Sequence, residues 1–568
     1  MNILGLSCFY HDAAACLLVD GRIAAAVEEE RLSRRKHDSR FPRLAIASCL
    51  EQAGLRMGDI DAVVFYEKPS RKLDRTLRIA KRYQDRAGDM FLGQLGQLLS
   101  EGLVLEEVLR RETGYGGPVH YSEHHLSHAA SAFLVSPFRR AAVLTVDGVG
   151  EWSTTAQFLG DVNGLRALRQ IDFPHSLGML YAVLTAYLGF KVNNDEYKVM
   201  GLASYGRPSF RQAFEKLLTL HGDGSFSLGL DYFSFMYESD RLHTDLLEEL
   251  LGPPRREDTP IEPRHLDIAA SLQLATEEAV VALASSLRDL TGADDLCMAG
   301  GVAYNCVANS RVQERAGFRN VFVQPAAGDS GGAIGAALAY WYATAGAERV
   351  PAAYDTCLGP AFTDGEIRAQ LERRCLAFEH FPEEAALCAR AAALIRDDFI
   401  VGWFQGRLEF GPRALGSRSI LANPCNPEMK DILNARVKFR EDFRPFAPAV
   451  IEERAAEFFE LAGPSPYMLF TPRVRPERAE DIPSVTHVDG TARVQTVARD
   501  AQPRFHRLIE EFGVLTGVPV VINTSFNVRG EPIVATPHQA VNCFLTTDID
   551  YLVIGDHIVS KTPPERLR

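Results

Sequence analysis

AAVLTVDGVGEWSTTAQFLGDVNGLRALRQIDF, residues 141–173, carries the clearest fold signal in this chain. It predicts an apolar strand that ends at Asp147 and a glycine loop, then a second strand, then a third strand beyond Asn163-Gly164. Asn-Gly between two strand-patterned runs is a strong hairpin signal, because glycine readily adopts the positive φ that a two-residue turn requires. The stretch therefore predicts an antiparallel meander with a polar loop after its first strand.

The N-terminus has the same arrangement. Strands are predicted at Ile3–Ser7, Ala13–Val19 and Arg22–Glu30, and Asp20-Gly21 makes the tight turn between the last two. Two strand-loop-strand cassettes in one chain predict a duplicated α/β domain with a cleft between its halves. By analogy of pattern, actin- and hexokinase-like nucleotide-binding folds are built in this way.

Glycine-rich turns lead into helices at two further places in this region. Helices are predicted over 41–53, 89–111 and 265–291. A buried strand, Asp295–Ala299, leads into GGVAYN at 300–305, and GDSGGA at 328–333 opens another helix. Such glycines let the backbone approach a ligand, and a helix N-terminus offers free N–H groups to an anion. Tight helix–sheet packing explains each loop equally well, so both interpretations stay open.

A boundary near residue 355 is predicted where prolines and glycines interrupt the helical pattern. Residues 1–355 form the duplicated domain, and residues 356–568 form a second α/β domain. In this second domain, strands are predicted over 399–404, 519–525 and 551–555, and helices over 427–437 and 537–545.

Composition limits the classes of function. The chain has 568 residues, 46% apolar and 24% charged, as expected for a globular protein of two or more domains. The net charge of -13 argues against an extended nucleic-acid or anionic-membrane surface, so a phosphate ligand would need a local pocket. The cysteines contain no C-x2-C pair, and we find neither a signal peptide nor a membrane-spanning run. These features predict a cytoplasmic protein with neither nucleic acid nor a membrane as partner.

Three histidines lie within five residues, at His124, His125 and His128. His124 and His128 are spaced i, i+4 and would project from one helix face, while Asp147 would add a carboxylate from the end of its strand. Asp329, in the second glycine loop, is the matching carboxylate of the other half. Imidazole and carboxylate ligands suit Zn, Fe, Cu or Ni. The hypothesis is a metal site that straddles the cleft; for the histidine pair alone, helix packing and capping is the alternative.

Basic side chains collect in the Gly-, Pro- and Ser-rich loops of the C-terminal part. They are Arg407, Arg413, Arg418, Lys438, Arg440, Arg444, Arg493 and Arg529. Arginine binds phosphate oxygens bidentately and lysine adds a mobile charge, so the set predicts a polyphosphate site. Asn523 and Ser525 add neutral groups at the end of a strand, where α/β sheets bind ligands. Pairing of single arginines with nearby carboxylates is the alternative, and no Walker motif is present.

A series of segments, in order along nearly the whole chain, resembles one enzyme family. They are HDAAACLLVDG, EEERLSRRKH, EHHLSHAASAF, VDGVGEW, EYKVMGLASYG, GGVAYN, GDSGGA, EFGPRALGSRSI, KFREDFRPFAP, HVDGTARVQTV and NTSFNVRGEPIV. Together they resemble the O-carbamoyltransferases of the NodU/CmcH/TobZ type. The resemblance implies an N-terminal domain like the threonylcarbamoyl transferases of the actin-like (ASKHA) superfamily and a YrdC-like C-terminal domain. It also implies that ATP and carbamoyl phosphate yield a carbamoyl-adenylate, whose carbamoyl group passes to an acceptor hydroxyl.

The resemblance further implies roles for individual residues. It places ATP, with Mg²⁺, and carbamoyl phosphate in the C-terminal domain against Arg413, Lys438, Arg444, Arg493, Asn523 and Ser525, of which Lys438 and Arg444 are catalytic. It places the carbamoyl-adenylate in the N-terminal domain against Lys36, Asp147, Gly148, Glu196, Gly300, Gly301 and Asn305, with a catalytic His11 near the transfer site. It makes His124, His128, Asp147 and Asp329 the ligands of a divalent metal, iron in the family, and leaves His125 as a neighbour.

The implied acceptor is a small hydroxylated metabolite of antibiotic, toxin or glycoside biosynthesis. Its contacts are expected in a variable segment such as Leu228–Arg241, where Asp231 is a candidate base. One alternative is modification of a tRNA or a protein by the same adenylate; the acidic charge and the lack of cysteine zinc fingers disfavour it. Another is a non-catalytic nucleotide-sensing module, which retention of both the metal and the arginine sets disfavours. The oligomeric state stays open, with a homodimer as one option.

Overall fold

A computed structural model describes residues 1–346 and 349–561, and the chain divides into two compact units. The first unit comprises residues 1–29 and 37–354; the second comprises residues 30–36 and the chain from 355 onward.

The segment Glu30–Lys36 is N-terminal in sequence but groups with the second unit. The Arg31 guanidinium donates to the carbonyl of Gly411 at 2.7 Å, and Arg34 donates to the carbonyls of Pro532 and Ile533 at 2.7 Å each. Lys36, expected beside an adenylate in the N-terminal domain, therefore falls in the second unit.

The first unit contains two five-stranded sheets. In chain order its strands are β1 (Asn2–Ser7), β2 (Ala14–Val19), β3 (Arg22–Glu28), β4 (Ala62–Phe65), β5 (Val119–Tyr121), β6 (Ala141–Val146), β7 (Ser153–Asp161), β8 (Gly164–Asp172), β9 (Leu218–Leu220), β10 (Phe226–Leu228), β11 (Asp295–Ala299) and β12 (Asn320–Val323). The helices up to residue 345 are α1 (Glu29–Ser33), α2 (Arg43–Ala53), α3 (Pro69–Tyr83), α4 (Gly88–Ser100), α5 (Leu105–Thr113), α6 (His124–Phe133), α7 (Leu177–Tyr187), α8 (Glu196–Ala203), α9 (Arg211–Leu217), α10 (Asp245–Leu251), α11 (Pro263–Thr291), α12 (Cys306–Arg315) and α13 (Asp329–Ala345).

The two sheets repeat one topology. Their strand orders are β3-β2-β1-β4-β5 and β8-β7-β6-β11-β12. In each sheet three strands form an antiparallel meander and two further strands run parallel to the first. The predicted mixed α/β class is confirmed, and both predicted cassettes form the meanders.

Local chemistry explains the first meander. Asp20 and Gly21 both have positive φ, 49° and 78°, as a turn between two right-twisted antiparallel strands requires. A Cβ on Gly21 would also lie 2.4 Å from the Trp341 indole, so only glycine fits.

Close packing of α6 against α13 brings two polar helix ends together. Gly335 of α13 has no side chain, and a Cβ there would lie 1.7 Å from the carbonyl oxygen of Ser127 in α6. Because α6 begins at His124 and α13 begins at Asp329, this approach fixes the imidazoles and the carboxylate beside each other.

The connection between β4 and β5 is longer than a parallel crossover needs, and it contains α3, α4 and α5. The single helix predicted over 89–111 is wrong: α4 ends at Ser100, the backbone breaks at Glu101 (φ -131°, ψ -78°), and α5 starts at Leu105. Helix α3 was not predicted, because its sequence is mostly Lys, Arg and polar residues with few apolar positions.

Helix α11 is the one helix in the described ranges that is long and apolar enough to cross a membrane. In its most apolar window 56% is buried within the protein, as in the core helix of a globular domain. It packs against α8 and α12.

The second unit is built on one mixed sheet of strand order β13-β20-β19-β14-β15-β18-β16-β17. Its strands are β13 (Phe378–His380), β14 (Val401–Phe404), β15 (Arg418–Ala422), β16 (Ala447–Ile451), β17 (Gln495–Val497), β18 (Val520–Ser525), β19 (Tyr551–Ile554) and β20 (His557–Ser560). Its helices are α14 (Asp364–Arg373), α15 (Glu384–Arg396), α16 (Met429–Leu433), α17 (Ala455–Phe458), α18 (Pro503–Thr516) and α19 (Pro537–Thr546).

Helices cover both faces of this sheet. On one face Trp403 and Val521 pack with α15 and α18; on the other, Phe404 and Ile522 pack with α14, α16 and α19. Neighbouring strand residues therefore point to opposite cores, as the two-residue period of a strand dictates.

Candidate functional site

All four side chains predicted as metal ligands converge in the first unit. They are His124, His128, Asp147 and Asp329, and one ligand atom from each lies within 4.8 Å of the others. His124 Nε2 lies 3.0 Å from Asp147 Oδ2 and 3.1 Å from His128 Nε2. His128 Nε2 lies 3.6 Å from an oxygen of each aspartate. The i, i+4 spacing on α6 thus presents both Nε2 atoms to both carboxylates.

This donor set fits a divalent transition metal. Both histidines and both aspartates are buried, and two imidazoles with two carboxylates suit such an ion. Burial acts to lower the pKa of His124, but hydrogen bonds to Asp147 and Glu67 raise it well above its usual value. The pKa of Asp147 is held below its usual range by the two histidines, despite burial. A divalent metal bound here would displace the imidazole protons, because an imidazole nitrogen that ligates a metal must be unprotonated.

A second layer of groups orients these side chains. Gly301 N–H donates to Asp147 Oδ1 at 2.9 Å, the Tyr66 hydroxyl donates to Asp329 Oδ2 at 3.3 Å, and Glu67 Oε2 lies 3.8 Å from His124 Nδ1. Outer contacts of this type fix the rotamers of metal ligands. Tyr66 and Glu67 were missed in the sequence, although two polar residues directly after an apolar strand are a usable signal.

His125 faces away from the cluster. Its Nδ1 bonds to Thr145 Oγ1 at 2.7 Å and its Nε2 to the carbonyl of Ser153 at 2.9 Å. Burial, together with the neighbouring histidines, lowers the pKa of His125 to about 3. Its ring is a neutral structural group.

A second polar cluster surrounds His11. The two oxygens of Asp12 bridge His11 Nδ1 and His37 Nδ1, each at 2.8 Å. His11 Nε2 lies 2.8 Å from the carbonyl of Asn193, and His37 Nε2 lies 2.9 Å from Asn194 Oδ1. Both nitrogens of each ring therefore face oxygen acceptors, so the sequence-predicted catalytic histidine is one of a pair held by a single carboxylate.

The geometry around His11 selects its charged form. An imidazole donates from both nitrogens only when it is protonated. Burial acts to lower the pKa of His11, but Asp12 outweighs it and raises the pKa to about 10. Asp12, His37 and Asn193 all have positive φ, of 39°, 54° and 58°, which is uncommon for residues other than glycine. Backbone strain of this kind concentrates at functional sites.

The raised pKa of His11 gives a pH-dependent contribution to stability. Because the folded-state pKa lies above the usual value of 6.5 for histidine, the contribution is full below about pH 6.5 and is lost as pH rises through about 10. We expect His11→Gln to lower the thermal unfolding midpoint most at pH 6 and progressively less toward pH 10, measured by circular dichroism. A difference that grows with pH would contradict this assignment.

His175→Gln is the matched control for this measurement. Burial lowers the pKa of His175, so protonation of its imidazole as pH falls reduces the stability of the folded state. The pH dependence of this variant should therefore have the opposite sign.

Other residues expected at the adenylate lie around these two clusters. The carbonyl of Gly148 accepts from Ser176 Oγ at 2.6 Å, and Glu196 Oε1 accepts from the N–H of Asn193 at 2.7 Å. Gly300 has φ of 91°, which allows Gly301 to present its N–H to Asp147. Asn305 caps α12 through its side chain.

Lys198 lies two residues after Glu196 and forms an ion pair with Asp195. Its ammonium lies 3.0 Å from Asp195, while Glu196 bonds to the backbone.

In the second unit, the side chain of Lys438 reaches the C-terminal end of β18. Its ammonium contacts Ser525 Oγ at 3.4 Å and Asn527 Oδ1 at 3.0 Å. The helix predicted over 427–437 is shorter than expected: α16 ends at Leu433, and a π-turn over Asn434–Lys438 follows. Such turns are frequent at functional sites. Burial lowers the pKa of Lys438, and the charges of neighbouring arginines lower it further.

Asn523 belongs to the same strand, β18, and Arg444 lies close to Lys438. Asn523 Nδ2 donates to Gln495 Oε1 at 2.7 Å and to the carbonyl of Ala414 at 3.2 Å. Its buried Oδ1 and the buried Nε of Arg413 have no hydrogen-bond partner among the described residues. Arg444 lies 3.6 Å from Glu441 and close enough to Lys438 to lower its pKa. Unused buried polar atoms are what a polar ligand would satisfy.

Several arginines of the sequence-defined basic set instead bind backbone. The Arg407 guanidinium donates to Leu358 and Gly359, and Arg440 donates to Pro445. Glu409 also binds backbone: its Oε1 accepts from the N–H groups of Leu415, Ser417 and Arg418.

Arg418 is the clearest structural member. It is fully buried, donates to the carbonyls of Gln405, Ser417, Pro360 and Gly406, and lies 3.7 Å from the centroid of the Phe404 ring. Burial lowers its pKa to about 10, so the guanidinium remains charged.

Arg418→Met is expected to destabilise the second unit without acting on ATP binding. Buried carbonyls left without donors should cost about 3 kcal/mol or more, which corresponds to a thermal midpoint lower by roughly 6 °C or more. Calorimetry tests this, with the exposed Arg473→Met as control. An unchanged midpoint with a raised KM for ATP would show that Arg418 is a ligand instead.

Comparison with protein families identifies the class of this chain. The family model for the carbamoyltransferase N-terminus matches residues 2–338, and the model for the carbamoyltransferase C-terminus matches residues 392–561. The chain belongs to the carbamoyltransferase family. It is accordingly a carbamoyltransferase enzyme, and the family resemblance found in its sequence is confirmed.

Relatives of this carbamoyltransferase extend over most of its length. An uncharacterised protein of Synechocystis sp. is 44% identical, covering 100% of this chain and 98% of its own. Nodulation protein NolNO of Sinorhizobium fredii is 40% identical, covering 97% and 79%. Nodulation protein U of Rhizobium tropici is 32% identical, covering 93% and 91%.

Similarity to solved structures is lower. HypF of T. kodakarensis has 14% identity and a TM-score of 0.31, covering 61% of this chain and 48% of its own. A ROK hexokinase of Thermus thermophilus has 16% identity and a TM-score of 0.30, covering 61% and 100%. Scores this low carry no inference about the carbamoyltransferase.

Proposed function

We propose that this carbamoyltransferase forms carbamoyl-adenylate from ATP and carbamoyl phosphate in its second unit and transfers the carbamoyl group to a hydroxyl of a small metabolite in its first. The observation that supports this division is the separation of two clusters of different chemistry. The second unit holds buried Lys438 near Arg440 and Arg444 at a strand end. The first unit holds four convergent side chains, called here the His₂Asp₂ cluster: His124, His128, Asp147 and Asp329. The proposal includes an actin-like fold for the first unit and a YrdC-like fold for the second.

The first step needs positive charge. Water hydrolyses carbamoyl phosphate to carbamate and inorganic phosphate; a carbamate oxygen then bonds to the α-phosphorus of ATP, and the bond to pyrophosphate breaks. Lys438, Arg444, Arg413 and Arg493 would stabilise the charge that develops on phosphoryl oxygens, and such electrostatic stabilisation is usually the largest catalytic contribution. A polyanion bound against Lys438 would restore the charge that burial disfavours.

The second step needs orientation. The acceptor oxygen bonds to the carbamoyl carbon and AMP leaves. A divalent metal, Fe²⁺ in our proposal, held by His124, His128, Asp147 and Asp329 would supply Lewis acidity. The chain itself contributes the positive charge of His11, whose two ring nitrogens are held by Asp12 and the carbonyl of Asn193, and the Gly301 N–H that orients Asp147. With a pKa of about 10, His11 acts as a cation or proton donor at neutral pH rather than as a base.

The proposal extends to partners. The acceptor is a small hydroxylated metabolite of natural-product biosynthesis, Mg²⁺ accompanies ATP, and the enzyme works in the cytoplasm without nucleic acid or membrane. Whether it acts as a homodimer is left to measurement.

The test is carbamoyl-phosphate-dependent ATP–pyrophosphate exchange by the metal-loaded enzyme. Mass spectrometry then screens hydroxylated metabolites for gain of a carbamoyl group. Exchange and a carbamoylated product support the proposal. Absence of exchange at saturating ATP and carbamoyl phosphate would favour a nucleotide-sensing module, and transfer to tRNA or protein alone would replace the acceptor class.

A further inference from the structure

A cavity of about 180 Å³ lies in the first unit beside the His₂Asp₂ cluster. Glu67 lines this cavity, and its Oε2 lies 3.8 Å from Nδ1 of His124. Val149, next to Gly148, lines it as well. The cavity therefore opens against side chains that hold the candidate metal ligands.

The long connection between β4 and β5 builds one wall of this cavity. Lys72, Arg75 and Thr76 come from α3, and Gln94, Gln97 and Leu98 from α4. Phe173 and Phe235 also line the cavity. A parallel crossover does not need three helices, so the extra length of this connection serves the cavity.

Most polar groups in the wall are already satisfied. The Lys72 ammonium lies 3.2 Å from Glu67, Arg75 donates to the carbonyl of Gly150 at 2.6 Å, and Gln97 donates to the carbonyl of Phe9 at 2.6 Å. Glu101 differs: its Oε2 is buried, and no described residue offers it a hydrogen bond. The cavity thus combines aromatic and aliphatic surface with one unused carboxylate oxygen.

We propose that this cavity binds the reacting ring of the acceptor, a single ring that carries several hydroxyl groups or a hydroxyl and an ammonium, with Glu101 accepting a hydrogen bond from one of the non-reacting groups. A cavity of about 150 Å³ holds a benzene-sized molecule, so this one has room for one six-membered ring. The ring faces pack on Phe173, Phe235 and Leu98. The carboxylates of Glu67 and Glu101 line the cavity, and the cations Lys72 and Arg75 are already bound to protein atoms, so an anionic ring is disfavoured. This inference rests on the proposed function, because it assumes that an acceptor hydroxyl is carbamoylated here.

The segment 228–241, expected to contact the acceptor, contributes only Phe235 to the cavity lining identified within the described ranges. Asp231, the candidate base in that segment, is exposed and is not among those lining residues.

A broader polar groove of about 670 Å³ beside Trp152 is the competing site for the acceptor. It runs along β7 and β8 and is lined by Arg78, Glu123 and Asp172. The cavity is favoured because its unused carboxylate oxygen is buried and its walls enclose a ring, whereas the groove carries more polar than apolar surface.

The test compares Leu98→Trp, which fills the cavity, with Leu99→Trp, which changes the exposed neighbour on the same helix. The probes are monocyclic polyols and amino-polyols, with acyclic polyols for comparison, and product is measured by mass spectrometry. Leu98→Trp should lower kcat/KM for carbamoyl transfer by about 100-fold or more, as expected when a bulky side chain fills a binding pocket. Leu99→Trp should leave it unchanged.

Glu101→Gln keeps the shape of the side chain and guards against misfolding of the larger substitution. It should raise KM for the best monocyclic acceptor by about tenfold with little change in kcat, as loss of one charge-assisted hydrogen bond predicts. Carbamoyl transfer by Leu98→Trp and Glu101→Gln at the rate of the unmodified enzyme would overturn the proposal. So would a raised KM for the acceptor in Trp152→Ala alone, because Trp152 lines the competing groove.

ATP–pyrophosphate exchange separates this inference from the proposed function. All four variants in the first unit should retain exchange, since that step is assigned to the second unit. Absence of exchange in the unmodified enzyme would refute the proposed function; normal exchange with acceptor transfer insensitive to the cavity would refute this inference alone.

Discussion

Lys438→Ala is expected to lower carbamoyl-phosphate-dependent ATP–pyrophosphate exchange by at least about 100-fold, the loss typical of removing one preorganised electrostatic group. The ammonium of Lys438 is buried at the end of β18, within 3.0 Å of Asn527 Oδ1 and beside Ser525. The π-turn over Asn434–Lys438 sets the direction of this side chain. Exchange of labelled pyrophosphate into ATP is the measurement.

Lys430→Ala is the matched control for this loss, because Lys430 lies on α16, directly before the same π-turn, and is less buried. It should keep exchange within about threefold of the unmodified enzyme, as expected of a change away from the reacting groups. Because Lys438 also donates to the carbonyl of Asn527 at 3.1 Å, circular dichroism checks that the variant is folded. Exchange by Lys438→Ala at the rate of the control would contradict the assignment of adenylate formation to this site.

His128→Ala is expected to preserve pyrophosphate exchange while carbamoyl transfer falls by about 100-fold or more and bound metal is lost. His128 Nε2 lies 3.6 Å from an oxygen of both Asp147 and Asp329, so its removal takes away one of four convergent donors. Metal content per chain is measured by elemental analysis, and transfer by mass spectrometry of the acceptor.

His125→Ala is the control, because the His125 ring is hydrogen-bonded to Thr145 and Ser153 and faces away from the four candidate metal ligands. It should retain the metal even if its thermal midpoint falls. Equal loss of exchange in His128→Ala and Lys438→Ala would contradict a division of the reaction between two sites.

Much of the fold could be predicted from local signals. The Asp20-Gly21 turn and the strands beside it follow from turn chemistry and apolar patterning, and both meanders form as expected. The division of the connection between β4 and β5 could not be predicted in the same way. Gly102 directly follows the break at Glu101, but a single glycine inside an apolar helical pattern does not by itself end a helix, and the polar surface of α3 hides its helical period.

The candidate site divides in the same manner. The i, i+4 spacing of His124 and His128 and the strand-end position of Asp147 suffice to propose a metal site. Glu67 and His37 could not be assigned, because their partners lie 57 and 25 residues away in sequence. Glu101 could not be assigned, because it lines a cavity that only folding encloses. Arg418 shows the converse: its residue type predicts a phosphate ligand, and four backbone carbonyls occupy it.

The sequence by itself determined the class of the protein, because turn residues, apolar periods and contiguous motifs are local properties that a linear pattern retains. Tertiary structure alone decided which polar groups remain available to a ligand. Asn523 Oδ1, Arg413 Nε and Glu101 Oε2 are buried without a partner among the described residues, whereas Arg407, Arg418 and Arg440 bind backbone carbonyls. The physical reason is that hydrogen bonding is satisfied through space: whether a charged side chain binds a substrate or the backbone depends on which atoms folding places within about 3 Å of it.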